Sequence, residues 1–288
     1  MSIKKYHIGL TQWGYKEWKS NFFRDDVKPD EFLMQYASVF NSVEGNTTFY
    51  NVPAPKTIEK WGAQVPADFK FCFKFPRTIT HEKQLRHVTE EAITFLDLFS
   101  PIRTKLGPFH VQLPPQFSFE QMKDLEILIE SLPPHLSFAV EVRHTDFFDK
   151  GKKERHFNDF LKSYGVNRVV FDTRKLHELQ IGESSVKKAQ SRKPKLPVRF
   201  DATGANPFVR FVGANDVLNN QAHLKEWAII TANWIRESRH PYIFIHAPET
   251  LHAPELARYF HKELAKLIEI SPMPEWPSEK KARQLGLF

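Results

Sequence analysis

Glu141, Arg143 and His144 close the run FAVEVRH at residues 138–144, and the same break from apolar to ionic recurs along the chain. Glu44 and Asn46 stand in NSVEGNT with Phe49 and Tyr50 just beyond; Lys74 ends KFCFK, with His81 a few residues on. His110 and Gln112 lie in FHVQLP, Asp172 ends NRVVFD, Arg210 lies in FVRFVG and His246 in YIFIHA. Carboxylates and imidazoles can act as general acids or bases, so Glu44, Glu141, Asp172 and His81 are the candidate catalytic residues. Amines and guanidinium forks grip phosphate or carboxylate oxygens, which makes Lys74, Arg143 and Arg210, with Asn46, Tyr50, Gln112 and His144, the candidate ligand-binding set. The same acids with His81 or His246 could hold a divalent cation, but there is no HExxH motif and the metal stays unassigned.

A blander reading pairs Glu44 or Glu141 with Arg143 or Arg210 in an ion network that fixes strand register and does no chemistry. Buried ions cost several kcal/mol each to desolvate, roughly, and are often no more stabilising than apolar packing. Convergent charges at strand ends therefore favour a functional site over a structural one.

The elements that would position these groups are read from periodicity. Short apolar, β-rich runs occur at 7–13, 41–47, 70–76, 109–114, 137–143, 167–172, 208–213 and 242–247. Segments with helical spacing or helix-start signals separate them, such as KPDEFLMQYASVF, SFEQMKDLEILIESL and NNQAHLKEWAIITANWIRES. This alternation predicts an α/β fold with a parallel sheet, and about eight such units predict a (β/α)8 TIM barrel in a single domain. An open doubly wound sheet is the runner-up, weakened because TQWGYKEW replaces a glycine-rich fingerprint after the first strand. Side chains alternate between strand faces, so Ala139, Glu141 and Arg143 share one side. In a closed barrel that side faces the axis, and the charges would meet at the C-terminal mouth.

Composition bounds the class. Of 288 residues 41% are hydrophobic and 14% aromatic, including 26 Phe, enough to build a large core. Cys72, the one cysteine, excludes an intrachain disulfide and reads as a buried, inert thiol. The start MSIKKYHIGLTQW is too short in apolar residues for a signal-peptide core, and no stretch is long enough for a membrane span. A cytoplasmic protein is expected. A formal charge of +7 and a pI near 9.3 suit an anionic partner, nucleic acid or a phosphorylated ligand.

Two regions break the rhythm. Residues 173–206, rich in Lys, Arg, Ser and Pro, predict a long mobile connection between the sixth and seventh strands and a candidate lid. The barrel is expected over residues 1–270, with a flexible tail over 271–288 that ends in QLGLF. That pentapeptide looks like the motif by which bacterial replication and repair proteins bind the sliding clamp. Leu285, Leu287 and Phe288 would fill apolar pockets and the Gln284 amide would hydrogen-bond at the entrance. Packing of the same residues on the protein's own surface is the alternative.

QWGYKEW, VEGNTTFYNVP, FKFPRTITH, VQLPP and AVEVRHTDFF, in this order and spacing, resemble the DUF72 (YecE-like) family. The resemblance spans about residues 8–268 and implies a TIM barrel without an established activity. It marks Glu44, Asn46, Thr48, Tyr50, Lys74, His81, Gln112, Glu141, Arg143, His144, Asp172 and Arg210 as the matching polar positions. The chain departs from the family pattern in having Phe147 and Phe148 where a Trp is usual, and FIHAPE at strand eight where Asn and Asp are usual. The expectation is a protein that binds DNA or a nucleotide at the barrel mouth and hydrolyses it. A non-catalytic DNA-associated adaptor and an isomerase or hydrolase of small phosphorylated sugars are the alternatives.

Overall fold

Each of the eight apolar runs supplies a strand: β1 (His7–Leu10), β2 (Ser42–Gly45), β3 (Lys70–Phe73), β4 (Phe109–Gln112), β5 (Phe138–Glu141), β6 (Asn167–Asp172), β7 (Phe208–Val212) and β8 (Tyr242–His246). The computed structural model describes residues 6–180 and 182–280. Helices form in the intervals between the strands, and their starts are written locally. Ser118 Oγ accepts from the Glu120 N–H at 3.3 Å while the Gln121 side chain accepts from the Ser118 N–H at 3.0 Å, a reciprocal cap. Asp216 Oδ1 accepts from the Asn219 N–H at 2.8 Å and starts the helix Val217–Arg236. Pro55 opens the helix Pro55–Ala63, where its missing N–H would have had no partner. Among the described residues no helix is long and apolar enough to cross a membrane.

All strand pairs are parallel, as the βα alternation requires. The expected uninterrupted ring of eight strands is not what the backbone forms. Six strands make a curled sheet, a half-barrel, in the order β1-β8-β7-β6-β5-β4, and β2 with β3 makes a separate pair. Side chains and loop geometry explain both breaks. Between β1 and β2 the Tyr36 hydroxyl accepts from the Leu10 N–H at 2.7 Å and donates to the Ser42 carbonyl at 2.9 Å, standing where a ladder bond would be. The Asn41 side chain likewise accepts from the Ile8 N–H at 2.7 Å and donates to the Tyr6 carbonyl at 3.1 Å. A Cβ on Gly9 would lie 2.0 Å from the Ser42 oxygen, so only glycine admits this approach. Between β3 and β4 the link is two separated bonds, Gly107 N–H to the Phe71 carbonyl at 2.8 Å and Phe75 N–H to the His110 carbonyl at 2.9 Å.

Alternation divides most of the strands' apolar residues between two clusters. Phe71, Phe73, Val111, Val140, Val170, Val209, Phe211, Ile243 and Ile245 join the helices in the main core. Cys72, Ala139, Val169, Phe208, Tyr242 and Phe244 form a second cluster on the opposite strand faces. Burial pushes the Cys72 thiol up, as an inert thiol requires. Two residues further along, on the same face as members of this cluster, come Lys74, Glu141, Phe171, Arg210 and His246. The ionic groups therefore rest on an apolar floor.

The connection after β6 holds two helices that periodicity did not predict, Arg174–Glu178 and Ser184–Arg192. Leu176, Val186 and Ala189 pack with Phe171 and Val212 at the strand ends. Gln190 donates to the Leu176 carbonyl at 2.8 Å and Thr173 Oγ to that of Pro194 at 2.8 Å, so the excursion is tied down. Residues 271–280, expected to stand outside the barrel, pack against it. Buried Trp276 lies edge-on to Phe22, beneath the Arg258 guanidinium 3.4 Å from its ring centre, and Glu279 pairs with Arg258 at 2.7 Å. The QLGLF motif, with Gln284, Leu285, Leu287 and Phe288, lies outside the described residues.

Candidate functional site

Arg210 is the hub. Its Nε donates to Glu44 Oε2 at 2.9 Å and its Nη1 to Glu141 Oε2 at 2.7 Å, so one guanidinium joins β7 to β2 and β5. Arg143 Nε donates to the other Glu141 oxygen at 2.8 Å. His110 Nε2–H donates to Glu141 Oε2 at 3.1 Å, and His246 Nε2 lies 3.4 Å from Glu44 Oε2. Glu44, Glu141 and His110 are fully buried.

Burial would raise both carboxyl groups, but Arg210, with Arg143 beside Glu141 and His246 beside Glu44, outweighs it and holds them well below the usual carboxylate range. The imidazoles respond in the opposite direction. Burial lowers His110 to about 4 and His246 to about 3, so both are neutral at pH 7. Two carboxylates thus face two guanidiniums, and the inner network is balanced without help.

Lys74 is surplus to that balance. Its Nζ donates to Gln112 Oε1 at 2.6 Å, the oxygen that also accepts from Arg143 Nη2 at 2.9 Å, and it sits 4.3 Å from the centre of the Phe49 ring. Burial and then the Arg210 charge push its amine down to about 7. Lys193, from the β6–β7 connection, is the second surplus cation: its Nζ lies 5.9 Å from the Phe171 ring, and burial and Arg210 lower it to about 8. Among the described residues neither amine has a carboxylate within ion-pair distance.

With its Oε1 occupied, Gln112 turns its NH2 toward His81 Nε2, 3.4 Å away. That nitrogen then accepts, so Nδ1 carries the proton and donates to Thr80 Oγ at 2.9 Å, while Thr80 passes its own proton to the Pro76 carbonyl at 3.1 Å. Burial, with the Lys74 and Arg143 charges, lowers His81 to about 4.

A cavity of about 710 Å³ opens above these groups at the C-terminal ends of the strands. Lys74, Arg77, Arg143, Arg210 and the Lys188, Arg192 and Lys193 of the connection line it, with Asn46, Phe49, Tyr50, His81, Gln112, Phe171 and His246. Among its described lining residues there is no Asp or Glu. A smaller annex of about 330 Å³ shares Thr11, Gln12, Asn46 and Tyr50 with it and adds Trp13 and the carboxylate of Glu44, already paired with Arg210.

The structure thus brings together Glu44, Asn46, Tyr50, Lys74, His81, Gln112, Glu141, Arg143 and Arg210. Two expected residues stand elsewhere. Phe171 takes the inward position at the end of β6, 4.9 Å from the Arg210 guanidinium, so Asp172 faces the helices. There its carboxylate accepts from Trp227 Nε1–H at 2.8 Å and from Arg174 at 2.8 Å. His144 starts the turn Thr145–Phe148, accepting the Asp146 N–H at 3.2 Å, and does not line the cavity. Phe49 and Tyr50 reach the cavity, whereas Phe147 belongs to the core. Lys193 and Phe171 were missed: one lies in a connection with no periodicity to place it, the other is an apolar residue where a charge drew attention. Among the described residues no three His, Cys, Asp or Glu side chains form a metal-holding group, since Glu44 and Glu141 are committed to Arg210 and Asp172 lies on the other face.

A parallel half-barrel with a cationic cavity at its strand ends defines an α/β protein. The chain belongs to the DUF72 family: the family model, described as a protein of unknown function, matches residues 7–280. It is 38% identical over 274 residues to the UPF0759 protein YecE of Escherichia coli strain K12, covering 95% of this chain and 98% of that protein. Among solved structures it is similar to a DUF72 family protein from Thermotoga maritima MSB8, with a TM-score of 0.68 and 24% identity, covering 90% of this chain and 98% of the other. A DUF72 family protein from Enterococcus faecalis V583 gives a TM-score of 0.70 at 17% identity, covering 94% and 98%. The last two likenesses concern the fold alone.

Proposed function

We propose that the two sheets act as one (β/α)8 barrel whose C-terminal mouth binds a phosphate-bearing ligand of nucleotide or sugar-phosphate size. The observation that carries this reading is the charge balance. Glu44 and Glu141 are matched by Arg210 and Arg143, which among the described residues leaves Lys74 and Lys193 without an ion-paired carboxylate, in a cavity that no described Asp or Glu lines. A phosphate would supply the missing charge, and Arg143, whose Nε and Nη2 already serve Glu141 and Gln112, offers it the charge-assisted donors of Nη1 at the wall. The cavity volume suits a small ligand.

In this reading Glu44 and Glu141 hold Arg210 in place, and acid–base work falls to the unpaired groups on the wall, His81 and Lys74. Hydrolysis of the bound phosphate and isomerisation of a sugar phosphate are both within reach of that pair. Nucleic acid is the second reading, favoured by Tyr50, 79% exposed at the lip, which offers a free face for stacking a base.

Calorimetric titration with pyrophosphate, ADP and ribose 5-phosphate at low salt tests the proposal. Binding that weakens at least about tenfold in Arg143→Ala is expected, the loss of about 1.4 kcal/mol or more from one charge-assisted bond. No binding of any of the three at millimolar concentration overturns it. A preference for oligonucleotides, with affinity that falls steeply with salt, would select the nucleic-acid reading.

A further inference from the structure

We infer that Lys74 captures the carbonyl group of its ligand as an imine, so that the substrate class is a phosphorylated aldehyde or ketone. The inference rests on the phosphate-binding reading of the same cavity.

The geometry isolates this amine. Lys74 follows β3 directly, its stem is buried, and Nζ reaches the wall of the 710 Å³ cavity. Its hydrogen-bond partner is the neutral Gln112 amide oxygen at 2.6 Å, which it shares with the Arg143 guanidinium. A lysine that forms imines must present a free electron pair, and proteins obtain this by removing the amine from water and setting it beside other cations. Both conditions are met at Lys74, and its lowering to about 7 is the result. Phe49, 4.3 Å away, replaces water on one side of the nitrogen.

The step balances within the site. The Nζ lone pair attacks the carbonyl carbon, a C–N bond forms, and the oxygen takes a proton from the nitrogen to give a carbinolamine. The hydroxyl then leaves as water with one further proton drawn from solvent in the open cavity, and the nitrogen lone pair closes the C=N bond. The product iminium carries one positive charge, as the ammonium did. Its N–H can still donate to Gln112 Oε1, so the acceptor that positions the amine also fits the adduct. His81, neutral and joined to the same Gln112 at 3.4 Å, stands on the wall to exchange a proton with the captured ligand. Lys193 is the more basic of the two amines, which suits it to the phosphate end.

The test uses pyridoxal 5′-phosphate, an aldehyde that carries a phosphate, with borohydride reduction and peptide mapping of the intact protein at pH 7. Roughly half of the Lys74 amine is neutral there, against less than about one part in a thousand for an ordinary lysine. Lys74 is expected to be labelled on the order of tenfold or more faster than any surface lysine, and Lys74→Arg to lose that fast phase. Label spread over surface lysines without excess at Lys74 overturns the inference, and wild-type mapping alone decides this if the variant fails to fold. Calorimetry with inorganic phosphate separates the two readings. Phosphate binding without trapping at Lys74 removes the imine and leaves the phosphate site. Trapping of both pyridoxal and its phosphate without phosphate binding retains the imine and removes the phosphate site.

Discussion

Lys74 and Arg143 donate to one and the same oxygen, Oε1 of Gln112, at 2.6 and 2.9 Å. Burial and then the Arg210 charge press the Lys74 amine toward its neutral form, and the Arg143 charge beside the same acceptor adds to them.

A stability profile should report this. In the unfolded chain the amine titrates near ~10.4, whereas in the folded protein it titrates at about 7. Between those limits the unfolded chain holds a proton that the folded protein lacks, so this group's contribution falls as pH is lowered from the upper limit to the lower and is level below it. Lys74→Met should therefore raise stability at pH 7 by on the order of a few kcal/mol, with the gain fading toward pH 10. Thermal melts of both proteins across that range check it, and a gap that does not change with pH would contradict a lowered amine.

Ligand binding should reverse the shift. An anion beside Lys74 and Lys193 favours their charged forms, so pyrophosphate binding at pH 8 should take up protons, and more than at pH 6, where both amines are already charged. Titration calorimetry in two buffers of different ionisation heat measures the uptake. Release of protons, or none, would place the anion elsewhere.

Removal of Arg210 should cost more than the sum of its visible bonds suggests. Arg210→Ala leaves Glu44 and Glu141, both fully buried, without their shared cation, a loss of about 3–5 kcal/mol. In the native protein these carboxyls titrate well below their ordinary range, so the stability they contribute is present above the unfolded carboxyl value, about 4.3, and is lost as pH falls through the folded one. The deficit of Arg210→Ala should accordingly shrink in acid, where the stranded carboxylates can protonate. Denaturant melts at pH 7 and pH 4 distinguish this from simple loss of packing, whose cost would be the same at both.

Tyr36→Phe tests the β1–β2 seam. It deletes the hydroxyl that serves the Leu10 N–H and the Ser42 carbonyl and leaves both buried groups unmatched, a loss of about 1–3 kcal/mol with no change in the ionic site. A melting curve identical to that of the unaltered protein would mean that water fills the gap.

Periodicity wrote the strands into the sequence, whereas contacts between distant segments left little trace there. All eight strands were legible because each is a short apolar run between helical spacings, and strand parity put Glu44, Lys74, Gln112, Glu141 and Arg210 on inward faces. Asp172 departs from the pattern because Phe171 occupies the inward position of β6, one residue away, and a charge that ends a strand need not lie on its inner face. The seams were invisible because Tyr36 and Asn41 act on β1 from segments outside it. Lys193 was hidden by its place in a basic connection, which reads as solvated surface until Val186 and Ala189 are seen to anchor it.

The seams give the buried charges a mechanical task. Where peptide groups join the smaller sheet to the larger only sparsely, side chains add links: Glu44 of β2 grips Arg210 of β7, and Lys74 beyond β3 meets Gln112 of β4. The clasp that fastens the two sheets is also the wall of the cavity, so a ligand that draws on Arg210 tugs on the fastening of the whole fold.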